Sequence, residues 1–140
     1  MIREVPFSAD FMGQIDPVWP DGVTFVQQAL QFNLTEYSQA FEDDDGPLWA
    51  WGVVPLWEGV GSVWLLFDRR ANRSAFRIIR EAKKYAAFLE GSGFKRLQGE
   101  FHCDAPTGRL AAMLGFQREG ILRNYGMKGE GDFVMVARIS

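Results

Sequence analysis

The run 61–116 leaves little freedom in what this chain can fold into. Residues 62–67, Ser-Val-Trp-Leu-Leu-Phe, are an apolar segment of strand length, rich in the branched and aromatic side chains that suit a pleated, buried surface. Residues 73–90 then place Ala75, Ile78, Ile79, Ala82, Ala86 and Leu89 at helical spacing, with Arg77, Arg80, Glu81, Lys83 and Lys84 mostly off that stripe. Such a helix covers a sheet with one face and meets water with the other. Gly91 and Gly93 supply the residues that end it. A second strand follows at 96–103, so the unit is β-α-β with a right-handed crossover. Its period of two sets Leu97, Gly99, Phe101 and Cys103 on one side, and Gln98, Glu100 and His102 on the other. Cys103 is therefore expected as an inert, buried thiol. Asp104 is placed to cap a short helix with Pro106 in its first turn, burying Leu110, Met113 and Leu114 before Gly115 stops it.

The start of the long helix is electrostatically unusual. Arg69, Arg70, Arg73 and Arg77 crowd a helix end that already carries partial positive charge, where each exposed cation is disfavoured by roughly 0.3–1 kcal/mol. Two readings account for it. An anion sits there, held by N–H groups and guanidinium forks. Alternatively the arginines pair with Asp43, Asp44, Asp45 and Glu81 or point into water.

The remainder of the chain is consistent with one domain, 1–140. Its 47% apolar residues, with twelve Phe and five Trp, suffice for a core, and a chain of 140 residues buries roughly two-thirds of its unfolded surface. A net charge of −3 argues against nucleic-acid binding and against an anionic membrane surface. One cysteine excludes an internal disulfide and any multi-cysteine metal site, the aspartate run 43–45 reads as a solvated turn, and no metal is expected. No segment reaches the length of a membrane span, so a cytoplasmic protein is expected. Residues 2–7 form a first strand, and Ser8 caps a helix over 9–15. A turn at 19–22 precedes a second helix over 23–32, ended by Asn33-Leu34. Strands at 36–42, 48–55 and 62–67 make an antiparallel meander. In the second of these, Trp49, Trp51 and Val53 share one face opposite small residues. A closing hairpin is expected from 121–125 and 132–139 across a glycine-rich turn.

That order of elements, with Leu114-Gly115-Phe116, Glu119-Gly120, Arg123 and Tyr125, resembles the GNAT superfamily of acyl-CoA N-acyltransferases over nearly the whole chain. Residues 52–57 and 61–65 look like the small GNAT-like proteins of tailed phages. The resemblance implies an α/β fold: a mixed, mostly antiparallel sheet of about six to seven strands, splayed in the middle, with helices on both faces. It further implies that acetyl-CoA enters beside the splayed strand at Leu66 and Phe67. Its pyrophosphate would lie on a loop aligned with Arg69, Arg70, Asn72, Arg73, Ser74 and Ala75, and Asp104 stands where the family often has asparagine. The loop lacks the family's glycines, and Ala111 occupies the position of its thiolate-protonating tyrosine.

A transferase of this kind needs a proton acceptor for an ammonium substrate. Glu100 and His102 share a strand face beside the implied gap, and Glu58 precedes the splayed strand; Tyr125 is the substitute acid if the last hairpin reaches the site. Two of these have a plain structural alternative, His102 as a hydrogen-bonded structural histidine and Glu100 as a solvated surface carboxylate. Three functions follow: acetyl transfer to a primary amine, a catalytically degenerate phage protein that binds virion or host proteins (or a second copy of itself), and an acyl-CoA binding module without turnover.

Overall fold

The computed structural model describes residues 1–17, 23–31, 35–126 and 128–140; the turn expected at 19–22 and the helix end at 33–34 lie outside them. The architecture is α/β. Among the described residues seven strands run β1 (Arg3–Val5), β2 (Tyr37–Asp43), β3 (Gly46–Trp57), β4 (Val60–Phe67), β5 (Arg96–His102), β6 (Gln117–Leu122) and β7 (Phe133–Ile139), ordered β1-β2-β3-β4-β5-β7-β6 in one mostly antiparallel sheet. The helices are α1 (Ala9–Gln14), α2 (Val23–Gln31), α3 (Ala75–Gly91) and α4 (Thr107–Met113). Contacts group the chain into two compact units, Met1–Val54 with Val63–Ala75, and Pro55–Ser62 with Phe76–Ser140.

In the first unit, β2 pairs with β1 and β3 in antiparallel register. Ser8 caps α1 by accepting from the Phe11 N–H at 3.1 Å. Phe11 and Met12 of α1 and Val26 and Ala29 of α2 join Ala40, Ala50, Val54, Trp64 and Leu66 in one buried cluster. The small residues of β3 serve that packing. A Cβ on Gly52 would stand 2.5 Å from the Trp64 ring, so the glycine makes the space that the indole fills. The large side chains alternate as expected, with Trp49 stacked on Phe41 at 4.7 Å and Trp51 donating to Gln39 at 2.8 Å.

In the second unit, β5 pairs antiparallel with β7 over its full length, from Arg96 opposite Ile139 to His102 opposite Phe133. The start of β4 is parallel to β5 over three residue pairs, Val60 with Arg96 through Ser62 with Gln98. The ladder is short beside the eight and seven residues of the two strands. Helix α3 buries Ile78, Ala82, Tyr85, Ala86 and Leu89, close to the expected stripe but with Tyr85 added and Ala75 exposed. Arg138 of β7 reaches it, donating to the Ala86 carbonyl at 3.5 Å and to Glu90 at 3.2 Å.

Several expectations need correction. A 3₁₀ turn, Arg69–Ser74, precedes α3, which therefore starts at Ala75 and not at residue 73. Helix α4 buries none of its residues: Met113 is 53% exposed, and Leu110 and Leu114 are half-covered. Its N-cap is Pro106 without a side-chain bond, because Asp104 lies too early and turns its own N–H back to His102. Cys103 is exposed, since β5 stops at His102 and strand alternation stops with it. The first strand of the closing hairpin is 117–122 and not 121–125; a bulge between Arg118 and Gly120 breaks its alternation.

Candidate active site

The arginine-rich turn belongs to the first unit, and internal acceptors already serve most of its groups. Asp68 lies just ahead of it and is buried, at 6% exposure. Its carboxylate caps the 3₁₀ turn by accepting from the Arg70 N–H at 3.0 Å, and its other oxygen accepts from the Asp16 N–H at 2.7 Å. The Asp68 carbonyl accepts from the Ala71 N–H at 2.9 Å, and the Asp16 carbonyl from the Arg69 N–H at 3.1 Å. The Arg70 side chain is engaged as well. Nη1 spans both oxygens of Asp43 at 3.0 and 3.1 Å, Nη2 donates to the Pro47 carbonyl at 2.9 Å, and Nε lies 3.7 Å from Asp68. This grip pulls the Asp43 carboxyl below its ordinary pKa, the Arg70 hydrogen bond being the largest cause. Arg69 pairs with Asp16 at 3.1 Å, and Arg77 with Glu81 at 3.1 Å.

The pairing reading therefore holds for three of the four arginines, although only Asp43 and Glu81 of the partners were foreseen. The Arg73 side chain makes no hydrogen bond or ion pair among the described residues. Asn72 and Ala75 are exposed and Ser74 half-buried, whereas the Leu66 side chain is taken up by the core at 1% exposure and Phe67 is half-buried. Asp68, which sequence reasoning passed over, had a signal: a carboxylate directly ahead of a helical turn is a capping residue.

The second unit gathers Glu100, His102 and Tyr125. The ladder that sets His102 opposite Phe133 also puts Glu100 two residues back on the same face. The Tyr125 hydroxyl donates to Glu100 Oε1 at 3.3 Å. The Tyr125 and His102 rings both meet Phe133 edge-on, with centroids at 5.3 and 5.5 Å. Tyr125 sits in the β6–β7 connection, where its N–H donates to the Gly131 carbonyl at 3.0 Å; Asp132 bridges to β5 by accepting from the Cys103 N–H at 2.9 Å. Gly131, in the left-handed region at φ +73°, lies so close to the imidazole that a Cβ would come within 2.7 Å of Nε2. An open depression of about 770 Å³ beside the phenol is lined by Ile121, Leu122, Arg123, Asn124, Tyr125 and Asp132. Phe133 and Gly131 were not foreseen; an aromatic and a glycine in a β-hairpin carry no chemical signal of their own.

The pair is tuned. Glu100 keeps solvent access, yet the protein around its carboxyl displaces enough water to lift the pKa above the ordinary 4.5, and the Tyr125 hydrogen bond opposes this without cancelling it. The phenol is raised above its ordinary 10.0 by burial first, then by the Glu100 charge and the hydrogen bond to it. It stays protonated at neutral pH. Glu58, the other carboxylate considered, is exposed in the β3–β4 turn beside the Arg96 end of β5, away from the His102 end. Asp104 is exposed, with its backbone N–H given to His102 Nδ1 at 3.1 Å.

Seven mostly antiparallel strands, a short parallel ladder and a crossover helix, all among the described residues, match a GNAT-like α/β fold, and solved acetyltransferase structures share it over nearly the full length of this chain. The ribosomal-protein-S18-alanine N-acetyltransferase of Escherichia coli is 19% identical with a TM-score of 0.71, covering 99% of this chain and 94% of that one. Ard1 of Thermoplasma volcanium is 16% identical with a TM-score of 0.73, covering 99% and 96%. A Bacillus subtilis acetyltransferase solved in complex with CoA is 9% identical with a TM-score of 0.70, covering 99% and 97%. At these identities the likeness is one of fold. No protein-family model and no curated protein sequence matches the chain.

Proposed function

We propose that the protein transfers an acetyl group from acetyl-CoA to a primary amine, with Glu100 and Tyr125 acting as one proton relay. The observation that carries this is the Tyr125–Glu100 hydrogen bond at 3.3 Å, between a carboxyl of raised pKa and a phenol of raised pKa, in a chain with the N-acetyltransferase fold. Acetyl-CoA supplies the activated thioester. Glu100 takes a proton from the ammonium substrate, and the freed amine attacks the acyl carbon. Tyr125 then gives its proton to the departing thiolate. A phenol with pKa above 10 is a weak donor to a thiolate whose conjugate acid lies near 8.5, so this step alone runs uphill. Glu100, protonated by the first step, removes the difficulty by passing its proton back to the phenolate oxygen. One of the two protons that the ammonium loses thus reaches the sulfur, the other leaves the acetylated nitrogen for water as the intermediate collapses, and both side chains return to their starting states. His102, fixed against the same Phe133, is proposed to shape the acceptor side.

Of the loop residues, Arg73, Asn72 and Ser74 are left to hold the pyrophosphate, because Arg69 and Arg70 are engaged internally. That engagement favours a second reading, in which the fold serves as a phage-encoded scaffold that binds a virion or host protein without turnover. Release of CoA from acetyl-CoA, measured against a panel of primary amines, separates the two. Glu100→Gln and Tyr125→Phe should each lower kcat by about 10²–10⁴ while acetyl-CoA affinity, read by calorimetry, stays unchanged. Failure to bind acetyl-CoA at millimolar concentration leaves the scaffold reading.

A further inference from the structure

We propose that His102, Cys103 and Asp104 form a three-ligand site for a borderline divalent transition ion, Zn²⁺ foremost, through the imidazole Nδ1, the thiolate and one carboxylate oxygen. One ligand atom from each lies within 4.8 Å of the others, and Nδ1 is 3.9 Å from Asp104 Oδ2. A tetrahedral zinc centre with bonds of about 2.0–2.3 Å needs ligand atoms roughly 3.3–3.7 Å apart. The contraction required is at most about 1.1–1.5 Å, within reach of χ1 rotations in Cys103 and Asp104, which are both exposed.

The imidazole is the part that must be fixed in advance, and it is. Its edge-on contact with Phe133 and the close approach of Gly131 to Nε2 hold the ring. The Asp104 N–H donating to Nδ1 at 3.1 Å places the lone pair on that nitrogen, which lies 3.9 Å from the Asp104 carboxylate. An entering ion takes over this lone pair, and the released N–H, on an exposed turn, is met by water. One thiolate, one imidazole and one carboxylate suit zinc, cobalt or nickel and not magnesium or calcium, and water fills the fourth position. The Cys103 thiol gives up its proton to the buffer as the sulfur–metal bond forms. The low cysteine count excluded a multi-cysteine site; it does not bear on one thiolate beside an imidazole. The inference is independent of acetyl transfer.

Calorimetric titration of the full chain with ZnCl₂ should show one site, with a proton release that scales with buffer ionisation heat. Co²⁺ in its place should give a thiolate-to-metal absorption band in the near ultraviolet. Cys103→Ser should abolish the band and weaken Zn²⁺ binding at least tenfold, and Asp104→Asn should weaken it severalfold. Circular dichroism should show both variants folded, since neither side chain is buried. No Zn²⁺ uptake by the folded wild-type chain overturns the proposal. So does uptake that Cys103→Ser leaves intact, which would put the ion elsewhere.

Discussion

At the scale of single residues, Glu100 is pulled in opposite directions by folding and by chemistry. Its surroundings disfavour the ionised form, so the native state holds the carboxyl proton more tightly than the unfolded chain does. A pKa raised by folding contributes stability that is complete below the unfolded value of about 4.5 and is lost as pH rises through the native value. At neutral pH the ionised side chain is therefore a net strain on the fold. Glu100→Gln, which keeps an acceptor for the Tyr125 hydroxyl, should raise the melting temperature at pH 7 and leave it unchanged below pH 4. An equal effect at both pH values would show that the stability change has nothing to do with ionisation. The pairing of Glu100 with Tyr125 was only partly visible in the sequence. Strand alternation put Glu100 and His102 on one face, but Tyr125 arrives through a loop whose path depends on the Asp132–Cys103 and Tyr125–Gly131 backbone bonds. Cys103 was misplaced because alternation was extended one residue past the end of the strand.

At the scale of elements, the turn ahead of α3 is a clasp between segments distant in sequence. Asp68 ties Asp16 to the turn, and Arg70 ties the turn to the β2–β3 hairpin through Asp43 and Pro47. Arg70→Ala removes bonds to two acceptors in a half-buried setting and should destabilise the ligand-free protein by about 1–2 kcal/mol, seen as a lower denaturation midpoint. Arg73→Ala should leave that midpoint unchanged and weaken acetyl-CoA binding instead, one charge-assisted bond contributing about 1.5–3 kcal/mol. Reversed outcomes would return Arg70 to the ligand and make Arg73 structural. The arginine crowding was legible in the sequence; its partners were not, because Asp16 and Asp43 are brought to it only by the tertiary fold. Length governed the rest. Seventeen residues of helical period in α3 overdetermine the reading. Seven in α4 do not, and its apolar stripe did not reveal that none of these residues is fully buried.

At the scale of the whole molecule, the sequence identified the architecture because its largest constraint, the strand–helix–strand run, also fixes the short parallel ladder between β4 and β5. Chemistry is harder to infer from a fold, since one scaffold hosts many functions. In the proposed function Glu100 and Tyr125 form a single relay, and its two members should fail together. The direct measurement is a double-mutant cycle on steady-state acetyl transfer, using the best amine acceptor and comparing Glu100→Gln, Tyr125→Phe and the double variant with wild type. If each single change lowers kcat by about 10²–10⁴, a shared relay predicts that the double variant is scarcely worse than the poorer single, because either change breaks the same proton path. Losses that multiply to about 10⁴–10⁸ would contradict the relay and make the residues independent, and a wild-type protein that transfers acetyl to no amine would contradict the catalytic account altogether.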